Sequence, residues 1–390
     1  MFSLPKPTGQ YPVGTRIVYM RDDSRKEDAN PHGSASRELM VQLWYPASPS
    51  GKPLARYRQW SDSRLRQTYQ AVLKTNSRQD APLAQSDLPF PIVIFGHGWG
   101  GTRVQDTFLT EELASHGYVV VSIDHPYNAG RVTFPDGRTV DEIRGSPIID
   151  VGTASSERTE ALWNMELEKW TGDEIFVLNR LQAESLTPAS VWYRRLNFNL
   201  VGSIGHSFGG AAAMRLCEVD PRVRSAINMD GWTFNGVENW PASKSMMFMF
   251  EQDPGPKLED LHSAIPALRV EAELDVKDDA IIHHAMEQAG GYQLIIQGAM
   301  HDDFTDQPMI SPIRRITHTG PINTREMQTI VRRYSLAFFD QTLRGQASPL
   351  LQSGDVSPFK EVQFLQWKRP AQSVPTGTPG GFPPRVAGSR

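Results

Sequence analysis

Cysteine is nearly absent from this sequence of 390 residues, in which Cys217 stands alone. A single thiol excludes a disulfide within the chain and any multi-cysteine metal site. Long apolar runs are also missing, since no stretch approaches the ~20 residues of a transmembrane helix. Residues 1–7 show no apolar core of a signal peptide. The sequence therefore leaves two locations open: the cytoplasm, or a secreted or periplasmic one if the chain is a processed mature form.

An excess of positive charge is the third feature that the sequence lacks. It has 40 Lys and Arg residues against 44 Asp and Glu residues, which gives a net charge of −4. A protein without a basic field attracts the phosphate backbone of a nucleic acid only weakly. It also has no polybasic anchor for anionic lipids. We therefore expect neither a nucleic-acid partner nor a strong membrane anchor.

In the centre of the chain, short apolar runs alternate with segments whose apolar residues have helical spacing. Length alone would suggest two domains, at about 100–200 residues each. Continuous apolar strands between helices instead predict one α/β unit, a mostly parallel central sheet with helices on both faces. The predicted strands are 39–44, 91–95, 118–123, 200–204, 225–229, 245–250 and 292–296. We predict a single catalytic domain over residues 1–368, with an irregular segment at 1–37 and a disordered Pro/Gly-rich tail at 369–390.

The strongest chemical signal is the G-x-S-x-G pattern at 205–209. The apolar strand 200–204 precedes it, and a run of small residues follows it. A strand-to-helix turn this tight needs glycines beside the serine. It also places the Ser207 hydroxyl at a helix N-terminus, where the partial positive charge favours a developing anion. The pattern predicts Ser207 as a nucleophile, and the alternative is a glycine-rich turn with an inert serine.

A nucleophilic serine needs a base, and a histidine that follows it in sequence is typical of this kind of elbow. The histidines after Ser207 are His262, His283, His284, His301 and His318. His301 comes just after the strand 292–296, at a carboxyl end, where open α/β sheets keep their sites. We therefore predict His301 as the base. His283 and His284 lie in a helical stretch and are expected to face solvent.

Two aspartates qualify as the acid that orients His301. Asp230 follows the strand 225–229, and Asp253 follows the next strand, 245–250. Both positions are at carboxyl ends of strands, so spacing alone does not decide between them.

The glycine-rich loop 96–101, Gly-His-Gly-Trp-Gly-Gly, follows another predicted strand. Its glycines allow the backbone to approach a ligand, so we predict the N–H groups of Trp99 and Phe208 as oxyanion donors. The competing interpretation is a dinucleotide-binding loop with Asp124 as the ribose-binding acid. The loop lacks the Lys-Ser/Thr of a P-loop.

Together these segments resemble the platelet-activating factor acetylhydrolase family of α/β-hydrolases, plasma and bacterial type, over most of residues 38–345. The resembling motifs are 96–100, 113–118, 205–211, 228–232 and 300–304. The resemblance implies that Asp230, in Asn-Met-Asp-Gly-Trp, is the acid. It implies a calcium-independent serine esterase without a cofactor or a metal, which acts on short-chain or oxidised acyl esters of phospholipids. Trp99 and Trp232, next to motif residues, are candidates to line an acyl pocket.

The segment 61–80 departs from the family. The plasma enzymes carry an apolar helix for lipid contact there, whereas this segment is rich in Arg and Gln and has a single apolar stripe. That composition disfavours strong interfacial binding and favours a soluble ester. Two alternatives remain open: a broad carboxylesterase or polyester hydrolase of the same fold, and a non-catalytic α/β-hydrolase that binds a ligand. The stretch 131–140 is predicted as a hairpin that either caps the pocket or lies on the surface.

Overall fold

A mixed sheet of eleven strands forms the centre of the part of the chain that the structure describes. The computed structural model describes residues 3–29, 35–57, 64–143, 152–253, 255–310, 317–352, 354 and 356–369. The strands are β1 (Val13–Glu27), β2 (Ala35–Pro46), β3 (Leu54–Arg56), β4 (Lys74–Gln79), β5 (Phe90–Gly96), β6 (Val119–Asp124), β7 (Arg131–Thr133), β8 (Thr139–Asp141), β9 (Leu196–His206), β10 (Val223–Met229), β11 (Ser245–Phe250), β12 (Gly291–Ile296) and β13 (Val362–Trp367). The α-helices are α1 (Arg64–Val72), α2 (Thr107–Ser115), α3 (Ser156–Leu186), α4 (Phe208–Val219), α5 (Pro266–Ala289), α6 (Gln307–Ile310), α7 (Thr324–Arg344) and α8 (Pro349–Gln352). Two 3-10 helices cover Leu258–His262 and His301–Phe304.

Six neighbouring strands in the middle of the sheet run parallel, in the order β12-β11-β10-β9-β5-β6. At one side, β13 joins β12 in the antiparallel direction. At the other side, β2 is antiparallel to β6, β1 is antiparallel to β2, and β4 is parallel to β1. The short β3 completes that side by pairing with β4. The predicted, mostly parallel sheet is therefore confirmed.

Alternate side chains of the buried strands enter two separate cores. In β5, Val93 and Phe95 enter the core that α2 and α7 cover. Ile92 and Ile94 enter the core that α3, α4 and α5 cover. A strand buried on both faces has no polar side, which is why these strands read as continuous apolar runs. The predicted helices on both faces of the sheet are confirmed.

The amino-terminal segment differs from the prediction. Residues 1–37 were expected to be irregular, but β1 runs for fifteen residues and pairs with β2 along its length. A shift of register between Asp22 and Lys26 interrupts this pairing. This strand could not be predicted from the local sequence. Its outward-facing residues are charged and exposed, and its hydrogen-bond partners come from a later part of the chain.

The stretch 131–140 forms the predicted hairpin, in which β7 and β8 pair in the antiparallel direction. Val132 and Phe134 pack with Met40 and Ala129 in a small cluster of their own. None of these four residues lines the large cavity described below. In this arrangement the hairpin lies on the surface and does not cap the cavity.

Two other expectations involve residues outside the described ranges. The tail at 369–390 lies almost wholly outside them, because only Arg369 of that segment is described. In the segment 61–80 only residues 61–63 lie outside, and the described part forms α1 and β4. Among the described helices, none combines the length and the apolar character that are needed to cross a membrane.

Candidate active site

Ser207 stands at the turn between β9 and α4, with φ 55° and ψ −126°. A non-glycine residue seldom adopts a positive φ, and such strain is typical of a nucleophile elbow. The turn is crowded on all sides. A Cβ atom on Gly205 would lie 2.1 Å from the Gly209 carbonyl oxygen, and one on Gly209 would lie 2.3 Å from that of Gly96. Glycine is therefore required where the elbow crosses the end of β5.

Asp230 is placed next to Ser207 by the register of two strands. β10 pairs with β9 so that Met229 lies opposite His206, and each strand ends there. Ser207 and Asp230 are therefore the next residues at the same edge of the sheet. The Ser207 N–H donates to the Met229 carbonyl oxygen at 2.8 Å, which ties the two turns together. Asp230 also has a positive φ, 57°.

His301 lies beyond the carboxyl end of β12, at the start of a 3-10 helix. Its Nδ1 atom is 2.7 Å from Oδ2 of Asp230. The other carboxylate oxygen of Asp230 accepts the N–H of Glu251 at 2.9 Å. Asp253, the other candidate acid, is exposed and lies on the wall of the same cavity. The structure thus brings Asp230, and not Asp253, into hydrogen-bond contact with the imidazole.

The pKa of His301 is set by two opposing effects. Burial lowers the pKa of the imidazole. The hydrogen bond and charge of Asp230, with the charges of Asp302 and Glu251, outweigh the burial and raise this pKa above its ordinary value of 6.5. A protonated His301 is therefore stabilised, as a base that receives a proton during catalysis requires.

The loop 96–101 lies against Ser207. A Cβ atom on Gly98 would be 3.2 Å from Cβ of the serine. The Gly98 N–H donates to Oε1 of Gln105, and the Gly100 N–H to a backbone carbonyl oxygen. Within the described residues, the N–H groups of Trp99 and Phe208 have no hydrogen-bond partner. The two predicted oxyanion donors are thus free for a ligand.

Asp124, the acid of the dinucleotide interpretation, ends β6 and is buried. It accepts the backbone N–H of Arg103 at 2.6 Å and forms a salt bridge with the guanidinium of the same residue. The carboxylate is therefore used to hold the chain after the glycine-rich loop. It is not presented to a ribose, which disfavours the dinucleotide interpretation.

A cavity of about 760 Å³ opens above Ser207 and His301. An aromatic wall of this cavity consists of Trp99, Trp163, Phe208, Trp232 and Phe234. The rings of Trp163 and Trp232 are stacked with their centroids 4.6 Å apart. Trp232, the predicted substrate-binding residue, therefore lies on the cavity wall, and its Nε1 donates to Asp275 at 2.7 Å.

Eight carboxylates also line the cavity, and α5 supplies half of them. They are Asp230, Glu251, Asp253, Asp260, Glu271, Asp275, Asp278 and Asp279, called the acidic wall below. The basic side chains of the lining are Lys257, His283 and His301. In the described part of the chain, no three or more His, Cys, Asp or Glu side chains are grouped so as to hold a metal ion.

Two buried polar side chains beside Ser207 were not singled out from the sequence. His206 Nε2 is 2.9 Å from the carbonyl oxygen of His301, and its Nδ1 is 2.8 Å from Nε2 of Gln105. The position of His206 inside the G-x-S-x-G pattern was the only sequence signal for it. Nothing in the sequence distinguishes Gln105 from a surface glutamine.

The parallel sheet and the serine at its strand-to-helix turn define an α/β-hydrolase. A solved structure supports this class: the ferulic acid esterase from Streptomyces cinnamoneus matches with a TM-score of 0.69 and 28% sequence identity. The match covers 94% of this chain and 99% of that one. The predicted α/β-hydrolase fold is confirmed.

Residues 1–349 match the family described as platelet-activating factor acetylhydrolase, isoform II, and the chain belongs to this family. One relative is the probable 1-alkyl-2-acetylglycerophosphocholine esterase of Arthroderma benhamiae, 25% identical over 93% of this chain and 94% of that protein. Another is the platelet-activating factor acetylhydrolase of Cavia porcellus, 23% identical over 87% of this chain and 78% of that protein. The predicted family is therefore confirmed, and the protein is a carboxylic ester hydrolase of the serine esterase kind.

Proposed function

We propose that this protein hydrolyses short-chain acyl esters through an acyl-enzyme on Ser207, with His301 as base and Asp230 as its orienting acid. One observation carries the proposal. Ser207 and the hydrogen-bonded pair of His301 and Asp230 line one cavity, at the carboxyl ends of parallel strands. The arrangement has the parts of a Ser-His-Asp triad in the chain order of α/β-hydrolases.

In the acylation step, Oγ of Ser207 attacks the ester carbonyl carbon while Nε2 of His301 takes the hydroxyl proton. Asp230 holds the ring by Nδ1 and stabilises the imidazolium that forms. The N–H groups of Trp99 and Phe208 bind the oxyanion, and each donor stabilises the transition state by about 2.7–4 kcal/mol. The imidazolium then protonates the leaving alcohol, which leaves an ester on Ser207.

In the deacylation step, His301 takes a proton from water, and the hydroxide attacks the acyl-enzyme. The same two N–H groups hold the second oxyanion. Ser207 leaves with the proton from the imidazolium, and the carboxylic acid is released. The reaction consumes one water and needs no cofactor.

The cavity and the relatives together suggest the substrate. The aromatic wall, with Trp232, offers an apolar surface for a small acyl group. The name of the Arthroderma relative specifies an acetyl ester of an alkylglycerophosphocholine, so acetyl and short oxidised acyl groups of phospholipids are the substrates we propose. A broader carboxylesterase is the second candidate, because the structural neighbour is an esterase of ferulic acid.

Burst kinetics with p-nitrophenyl acetate, butyrate and octanoate test the proposal. We expect a burst near one equivalent per chain in the wild type, no burst in Ser207→Ala, and faster acylation by the shorter esters. Ser122→Ala is the matched control, because Ser122 is a buried serine of β6 that does not line the cavity. A folded wild type that hydrolyses none of these esters, nor a short-chain phospholipid, contradicts the proposal and favours the non-catalytic alternative.

A further inference from the structure

A chain of buried hydrogen bonds connects the loop 96–101 to the main chain of His301. The N–H of Gly98 donates to Oε1 of Gln105 at 2.8 Å. Nε2 of Gln105 lies 2.8 Å from Nδ1 of His206, and Nε2 of His206 lies 2.9 Å from the carbonyl oxygen of His301. Gln105 is 6% exposed and His206 is 2% exposed. The chain of hydrogen bonds therefore passes beside Ser207 without contact with bulk water.

The direction of each hydrogen bond in this chain is determined by its two ends. The carbonyl oxygen of His301 only accepts, so Nε2 of His206 carries the hydrogen. Burial, together with the nearby His301, lowers the pKa of His206 well below its ordinary value, so the ring is neutral and Nδ1 is an acceptor. The amide nitrogen of Gln105 donates to it, and the amide oxygen accepts from Gly98. Every donor along the chain meets an acceptor, as a buried network requires.

We infer that Gln105 and His206 are positioning residues for the proposed esterase reaction. They hold the loop that carries the Trp99 N–H and the loop that carries His301 in a fixed relation on either side of Ser207. This inference rests on the proposed function, because it assigns these two residues a role in the rate of that reaction.

Each half of this hydrogen-bond chain has a separate effect on the site. Gln105 takes up the N–H of Gly98, which fixes the orientation of the loop and leaves the next N–H, that of Trp99, free. His206 holds the backbone of His301, while Asp230 holds its ring at Nδ1. A histidine held both at its main chain and at its ring has little freedom to turn away from the serine.

A second set of contacts keeps Gln105 in place independently of its side chain. Its carbonyl oxygen accepts the N–H of Asp306 at 3.0 Å. The Asp306 carboxyl accepts the N–H groups of Thr107 and Phe108, at 2.7 and 3.2 Å, at the start of α2. The start of α2 is thus docked on the segment that follows His301. We therefore expect loss of the Gln105 amide to affect the reaction rate more than the stability of the fold.

Two substitutions of His206 separate its two hydrogen bonds. In His206→Asn, the amide lies where Nδ1 was and keeps a partner for Gln105, but no donor reaches His301. In His206→Gln, the amide nitrogen lies where Nε2 was and keeps the bond to the His301 carbonyl. We expect His206→Asn to lower kcat by up to about 10²-fold with little change in KM, because a small displacement of reacting groups costs that much. His206→Gln should recover most of this loss.

Gln105→Met tests the other half, because methionine has a similar shape without the amide. Gln328→Met is its matched control, since Gln328 is a buried glutamine of α7 that does not line the cavity. Gln105→Met should lower kcat and should change the nitrogen shift of His206 Nδ1 in an NMR spectrum of labelled histidines. Gln328→Met should do neither.

Thermal unfolding of every variant separates the positioning role from a structural one. Equal kcat values for His206→Asn and His206→Gln, or losses that follow the melting temperature, overturn the inference while the proposed function stands. A wild type that hydrolyses no ester but shows the Nε2-protonated His206 overturns the proposed function, and with it the positioning role of Gln105 and His206.

Discussion

Asp230 holds His301 through one carboxylate oxygen and is itself held through the other. Its Oδ2 is 2.7 Å from Nδ1 of His301, and its Oδ1 accepts the N–H of Glu251 at 2.9 Å. The carboxylate therefore has little freedom to rotate, and this also restricts the orientation of the imidazole that it binds. Asp253, at the end of the next strand, is exposed and lies farther out on the cavity wall.

The two candidate acids should respond differently to amidation. We expect Asp230→Asn to lower kcat/KM by about 10⁴-fold, the loss typical when a triad aspartate is replaced by its amide. Asp253→Asn is the matched control and should change kcat/KM little. Steady-state hydrolysis of p-nitrophenyl acetate measures both. A larger loss in Asp253→Asn would overturn the choice of acid.

The pH profile should report the raised pKa of His301. The base must be neutral to accept the proton of Ser207, so kcat/KM should fall as the pH drops through the pKa of His301, which lies above 6.5. Because the charge of Asp230 is one of the groups that raise this pKa, the midpoint in Asp230→Asn should move to lower pH. Profiles from pH 5 to 9 measure both effects, and a flat wild-type profile with chemistry limiting would contradict the assignment.

Gly98 has little room for a side chain. A Cβ atom there would lie 3.1 Å from Nδ1 of His206 and 3.2 Å from Cβ of Ser207, so the loop or these neighbours have to give way slightly. Displacement of the Trp99 N–H should lower kcat by about 10²–10³-fold, the loss on removal of one oxyanion donor. Gly51→Ala is the control, since an added Cβ atom there meets nothing within 4 Å. Wild-type kcat in Gly98→Ala would argue against this loop as part of the oxyanion hole.

The acidic wall of the cavity should select esters by charge. Acetylcholine and 3,3-dimethylbutyl acetate have nearly the same shape, but only the first carries a positive charge. We expect kcat/KM to favour the cation by about 20-fold at low salt, since a charge ~10 Å away contributes ~1.7 kcal/mol at an effective dielectric constant of 20. The ratio should fall with added salt and in Glu271→Gln with Asp279→Asn, two exposed carboxylates of α5. A ratio near one in the wild type would refute this prediction.

Asp278 should make the fold less stable as the pH rises. Burial raises the pKa of this carboxyl to about 7, although it accepts hydrogen bonds from the backbone N–H and the hydroxyl of Thr233. A raised pKa contributes stability that is present at low pH and is lost as the pH rises towards 7. Asp278→Asn keeps the accepting oxygen and does not ionise.

Melting temperatures from pH 5 to 8 test the role of Asp278. The melting temperature of Asp278→Asn relative to the wild type should increase over this range. A difference that stays constant or decreases would show that the carboxyl of Asp278 is already ionised at low pH. Asp279→Asn, at an exposed neighbouring position, is the matched control.

The sequence alone determined the parts of the site that depend on local order. The apolar run of β9 and the glycines around Ser207 predict a strand, a tight turn and a helix, because each is a local preference of the backbone. The same applies to the loop 96–101 after β5, and to His301 after β12. These residues mark the ends of strands, and the ends of parallel strands meet at one edge of a sheet.

The tertiary structure decided everything that depends on partners far apart in the chain. Spacing left Asp230 and Asp253 equal. The family resemblance implied Asp230, and the structure adds its contact with the imidazole. β1 was hidden because its hydrogen bonds come from β2, not from its own residues. The link from Gln105 through His206 to His301 spans almost 200 positions. Hydrogen bonds and burial depend on distances in space. For residues far apart in the chain, these distances are set by the folded structure and cannot be read from local sequence.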